Sequence, residues 1–99
     1  MFVVTVTYTV PLAEVDPLRP AHGRWLEQLI TDRRLVLAGR RVPLVGGVYL
    51  TTDMPRDRLD SILATDPYLL HGVATHEVVE FTPLLGAPEV IAASDRNGA

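Results

Sequence analysis

FVVTVTYTV, residues 2–10, alternates with a period of two. Phe2, Val4, Val6, Tyr8 and Val10 fall on one side of an extended chain, and Val3, Thr5, Thr7 and Thr9 fall on the other. Alternation built almost wholly from β-branched residues is the pattern of a half-buried strand. The valine and threonine side is semi-polar, which suits contact with another subunit or a wet cavity better than a dry core. Pro11 ends the strand, because it has no N–H to extend the ladder.

The rest of the chain supplies what such a strand needs to pair with. Asp16-Pro17 and Arg19-Pro20 mark a turn, and a helix is predicted to start between Pro17 and Pro20, where proline is tolerated in a first turn. His22, Trp25, Leu26, Leu29 and Ile30 then give that helix one buried face running to about Arg34. Glu27, Gln28, Asp32 and Arg34 largely take its other sides. Residues 35–41 (LVLAGRR) and 47–52 (GVYLTT) read as a second and a third strand. Val42, Pro43 and the Gly46-Gly47 pair between them suggest a hairpin. Asp53 is predicted to cap a second helix, with Pro55 near its first position and Leu59, Ile62 and Leu63 as its buried stripe. Asp66-Pro67-Tyr68 opens a short helical turn that closes near Gly72. Residues 73–82 form the last strand, with Val78, Val79 and Phe81 as its apolar residues. Beyond Pro83 the pattern dissolves into at most a turn of helix at 90–93 and a loose end at 94–99.

The order β-α-β-β-α-β is an α+β arrangement of the ferredoxin-like, split βαβ kind, an antiparallel sheet with two helices on one face. The predicted division is a domain over residues 1–83 and a partly disordered C-terminal tail over 84–99. The uncovered sheet face predicts a homodimer with sheets face to face, or a higher oligomer built from it.

Composition removes whole classes of chemistry. The 99 residues include no cysteine, which excludes a disulfide scaffold, a thiolate metal site and a cysteine nucleophile. All nine basic residues are arginine, so lysine Schiff-base chemistry and a Walker-type phosphate lysine are excluded. A formal charge of −3 gives no footprint for nucleic acid. Residues 1–10 are too short to span a membrane and, with threonines interspersed and no basic flank, do not read as a signal peptide, so the expected location is cytoplasmic. Three scattered histidines have no metal-ligand spacing, and no nucleotide-binding glycine motif is present, so neither metal nor cofactor is expected.

Function therefore rests on a few placed residues. His22 lies early in the first helix, where the helix dipole favours a neutral imidazole able to act as a general base. By its own position it reads first as a partly buried helix residue with one hydrogen bond. Asp66 precedes a proline, which holds it in extended geometry, and it reads either as a plain helix cap or as a carboxylate projected from a loop. Paired with His22, that carboxylate would fix the imidazole's tautomer and support its protonated form. Asp16-Pro17 reads as structure alone. His71 suits a helix C-cap, and His76 is expected to face the open sheet side. Arg19, Arg40 and Arg41 are candidates to hold a carboxylate or phenolate. Tyr8, Tyr49 and Tyr68 are candidates for hydroxyls in a pocket.

Arg19-Pro20-Ala21-His22, Leu26 and Leu29, Leu35-Val36-Leu37-Ala38-Gly39, Thr65-Asp66-Pro67-Tyr68 and Gly72-Val73, in that order, resemble the YCII-related proteins over residues 1–83. The resemblance implies a dimeric α+β barrel similar to muconolactone isomerase, with His22 and Asp66 as an active-site dyad; with that dyad, Arg19, Tyr68 and Gly39 are the residues expected beside a small-molecule substrate. Most members look enzyme-like without an assigned reaction, and one branch resembles a dehydrochlorinase of chlorinated hydroxyquinols; the leading reading of this chain is a cofactor-free proton-transfer enzyme acting on a small anionic organic molecule, an isomerase or a lyase. The other reading is a non-catalytic ligand-binding or assembly module with the same fold. The chain departs from the family pattern where Arg33-Arg34 replaces the usual glycine after the first helix, and in its short connection between the second and third strands.

Overall fold

The alternating N-terminal segment forms β1, Phe2–Tyr8, inside a four-stranded sheet. The computed structural model describes residues 1–95. β2 (Leu35–Arg40), β3 (Gly46–Thr51) and β4 (Ala74–Glu80) complete the sheet in the order β2-β3-β1-β4, every neighbour antiparallel. As a central strand, β1 buries Phe2, Val4 and Val6 completely or nearly so. Each such side chain contributes about 1.5–3 kcal/mol relative to exposure.

The helices are α1 (Leu12–Val15), α2 (Arg19–Thr31), α3 (Arg56–Leu63), α4 (Pro67–Leu70) and α5 (Pro88–Ser94), with a 3-10 turn at Asp16–Leu18. Leu59 and Leu63 of α3 are buried against the sheet core, and Trp25, Leu26 and Leu29 of α2 pack on the same cluster. Two features fall outside the sequence reading. The α1 and 3-10 turns fill the stretch taken as a plain turn, and α2 ends at Thr31 rather than near Arg34. The early end has a backbone cause: Arg33 sits at φ 58°, the left-handed conformation that glycine adopts without strain.

Directly opposed residues of an antiparallel pair share a face. Val4 lies opposite Tyr49, and Val6 lies opposite both Gly47 and His76. Tyr49 and His76 therefore point to the helix-covered side. For His76 this overturns the expectation that it faces the open side. Asp53 is not a cap either: Pro55 precedes α3 without a side-chain cap, and the Asp53 carboxylate lies 3.6 Å from the N-terminal amine.

The other sheet face carries Val3, Thr5, Thr7, Val48 and Leu50, all partly exposed, with Leu37 and Val79 more exposed still. Ser94, expected to be loose, is buried, and its carbonyl accepts the Asp53 N–H at 2.8 Å. The remainder of the predicted loose end, 96–99, lies outside the described residues. No helix among the described residues is long and apolar enough to cross a membrane.

Candidate active site

The site is built on Asp66. The following proline keeps Asp66 extended (φ −61°, ψ 120°), and its Oδ1 accepts the Tyr68 N–H at 2.9 Å as the N-cap of α4. Oδ2 accepts from the Tyr49 hydroxyl and from His76 Nε2, each at 2.8 Å. The carboxylate is fully buried. Burial pushes its pKa up, but the hydrogen bonds from His76, Tyr49 and the Tyr68 amide, with His22 nearby, outweigh that and hold it below the usual carboxylate range. Burial also drives the Tyr49 hydroxyl far above an ordinary phenol, and the adjacent Asp66 charge adds to the effect. Asp66 is thus both a helix cap and the acceptor of two further side chains.

His22 enters from the first turn of α2. Its Nε2 lies 2.7 Å from the Tyr49 hydroxyl oxygen and 3.6 Å from Asp66 Oδ1. The first distance is a hydrogen bond and the second is not. The imidazole and the carboxylate do come together, but Tyr49 bridges them. Tyr68 stacks on the imidazole with ring centroids 3.8 Å apart and planes 11° apart, and Trp25 flanks it at 5.7 Å. Burial lowers the His22 pKa below the ordinary histidine value; His76 and Arg19 push the same way, against Asp66.

His22 lines a cavity of about 310 Å³, small for a ligand pocket and suited to a single substituted ring. Tyr49, Tyr68, Tyr8, Arg19 and Arg40 line it with Gly39, Gly46 and Gly47. Gly46 is required where it stands, since a Cβ there would lie 1.7 Å from the Val6 carbonyl oxygen and force β3 away from β1. Gly39 carries no such constraint, as nothing lies within 4 Å of its would-be Cβ. Arg19, expected at the substrate, reaches the cavity wall, but its Nε is already engaged by Asp16 Oδ1 at 2.7 Å. Burial, with Tyr8 beside it, pushes the Tyr68 hydroxyl up to about 12. Among the described residues no group of three or more histidine, aspartate and glutamate side chains is arranged to hold a metal ion.

Sequence reading brought His22 and Asp66 to one place but missed the two residues that connect and brace them. Tyr49 was one of three interchangeable tyrosines. The β3 alternation that puts Tyr49 on the face of Val4 is the pattern that singles it out. His76 shares parity with Ala74 and Val78, both turned to the helix side, but Val79 and Phe81 on the opposite parity obscured which side was inward.

Fold and site together define an α+β protein of ferredoxin-like topology with a buried carboxylate–hydroxyl–imidazole chain ending at a ring-sized cavity. Residues 1–82 match the YCII-related domain, and the chain belongs to that family. No curated protein matches it. Among solved structures it is similar to 5-chloro-2-hydroxyhydroquinone dehydrochlorinase from Burkholderia phenoliruptrix in complex with 2,5-dihydroxybenzoquinone. The two share 17% identity over 83% of this chain and 94% of that chain, with a TM-score of 0.68, a likeness that establishes the fold.

Proposed function

We propose that this protein is a cofactor-free enzyme that moves a proton to or from carbon in a small anionic organic molecule, as an isomerase or a lyase of the dehydrochlorinase kind. His22 acts as base and then as acid. Asp66 holds His22 in place through Tyr49, and the Arg40 and Arg19 guanidinium groups on the cavity wall attract an anionic oxygen. The observation that carries the reading is an imidazole on the cavity wall tied through one hydroxyl to a fully buried carboxylate. The lowered His22 pKa keeps the imidazole neutral near pH 7, the state a base needs. The similar structure, a dehydrochlorinase, suggests phenolic or quinonoid rings as the first substrates to try.

Two assays test this. One follows chloride release from 5-chloro-2-hydroxyhydroquinone. The other follows deuterium uptake from D₂O into ring carbons of 2,5-dihydroxybenzoquinone, which reads proton shuttling without requiring net turnover. Catalysis above the buffer rate in either assay supports the enzyme. Saturable binding of both rings with no acceleration in either assay favours the non-catalytic module.

The open sheet face leads to a second proposal, a homodimer in which Val3, Leu37, Leu50 and Val79 of two copies meet. Light scattering should give twice the 10.9 kDa chain mass, and a monomer at micromolar concentration would refute it.

A further inference from the structure

The hydrogen atoms of the site can be counted. From His22 Nε2 to Tyr49 Oη to Asp66 Oδ2 there are two gaps, 2.7 and 2.8 Å, and each needs one hydrogen. An ionised carboxylate supplies none. Asp66 is ionised: the Tyr68 N–H, the Tyr49 hydroxyl and His76 Nε2 converge on its two oxygens at 2.8–2.9 Å and together hold it below the usual carboxylate range. The single Tyr49 proton therefore fills the gap to Asp66, because leaving that gap empty would set a phenol lone pair against a buried anion. The gap between His22 and Tyr49 must then be filled by His22. The other ring nitrogen, Nδ1, has no hydrogen-bond partner within the described residues, and no buried side-chain nitrogen or oxygen among them lacks one, so Nδ1 is not buried, and it belongs to a residue that lines the cavity.

We infer that Tyr49 is a positioning residue that locks neutral His22 as the Nε2–H tautomer, leaving the Nδ1 lone pair as the base that faces the substrate. The assignment of Nδ1 as the reacting atom rests on the proposed enzyme reading; the tautomer stands on the hydrogen count alone. The same count fixes His76 as an Nε2–H donor to Asp66.

The direction of every proton in this chain is set by the charge on Asp66, so an amide at that position should reverse it. In Asp66→Asn the Tyr68 N–H still requires an acceptor, which turns the amide oxygen toward α4 and the NH₂ toward Tyr49 and His76. Tyr49 then receives a hydrogen from the amide and gives its own to His22 Nε2. Both histidines pass to the Nδ1–H form, and the Nδ1 lone pair of His22 is lost.

The experiment is long-range ¹H–¹⁵N correlation on protein labelled at histidine, at a pH where His22 is neutral. Wild type should show His22 Nε2 as the protonated, pyrrole-like nitrogen and Nδ1 as the pyridine-like one, and Asp66→Asn should show the two exchanged. A wild-type Nδ1–H form of His22 would overturn the inference even if Asp66→Asn did not fold. A folded Asp66→Asn protein that kept the Nε2–H form would overturn it as well. Neither readout needs a substrate. A correct tautomer with no turnover would refute the proposed function and leave the proton assignment standing.

Discussion

The layer between sheet and helices has two ends with different physics. At one end Phe2, Leu35, Met54, Leu59 and Leu63 pack together, and the polar residues there, Thr51 and Thr52, direct their hydroxyls to backbone carbonyls at 2.8 Å. At the other end, on the same face of the sheet, lie Tyr49 and His76, with His22 and Asp66 brought in from the helical segments. The apolar end is held by area, which is not directional. The polar end is held by hydrogen bonds, which are, and a buried carboxylate is stable there only because every lone pair in use has a donor. The consequence is functional: the polar end sets the direction of each group and leaves His22 on the wall of the cavity.

Substitutions should separate the two ends. The largest effect on stability belongs to the apolar end: Leu59→Ala, at a site with 1% exposure, should cost about 2–5 kcal/mol in chemical denaturation while the folded fraction keeps the wild-type tautomer of His22. A loss under about 1 kcal/mol would mean that this end is not the main support of the fold.

Acid should act on the polar end, and more gently. The folded-state pKa of His22 is lowered, so the unfolded chain binds its proton first; the stability this contributes is present above about pH 6.5 and declines as pH falls through the folded value. The Asp66 pKa is lowered too, so its contribution is present above about pH 4 and is lost as pH falls further. Denaturation across pH should therefore show two separate declines, neither steeper than about 1.4 kcal/mol per pH unit for one proton. His22→Gln should remove the upper decline and keep the lower. If the upper one persisted in that variant, the burial of neutral His22 would not be its source.

How much of this was legible in the sequence follows from the range of the forces involved. The succession of strands and both main helices could be read because alternation in residues 2–10 and the His22–Ile30 stripe are local patterns that tertiary packing reinforces. Asp66 could be found because its proline fixes the local backbone. The bridge through Tyr49 could not, because it depends on strand register: a shift of one residue in the β1–β3 pairing would turn Tyr49 to the open face. His76 was hidden for the same reason. Arg33 was hidden for another reason: its left-handed backbone ends α2 early, and no preference of arginine announces that conformation.

The central claim is that chemistry at the polar end is separable from the fold that holds it. It is tested most directly by measuring turnover and unfolding free energy on the same sample of His22→Gln, using ring-carbon deuterium uptake or chloride release as the rate. The account predicts a rate about 10²–10⁴-fold below wild type, with stability at pH 7 changed by less than about 1.5 kcal/mol, the scale of one hydrogen bond. A variant as active as wild type, or one whose activity fell only in step with its folded fraction, would contradict it.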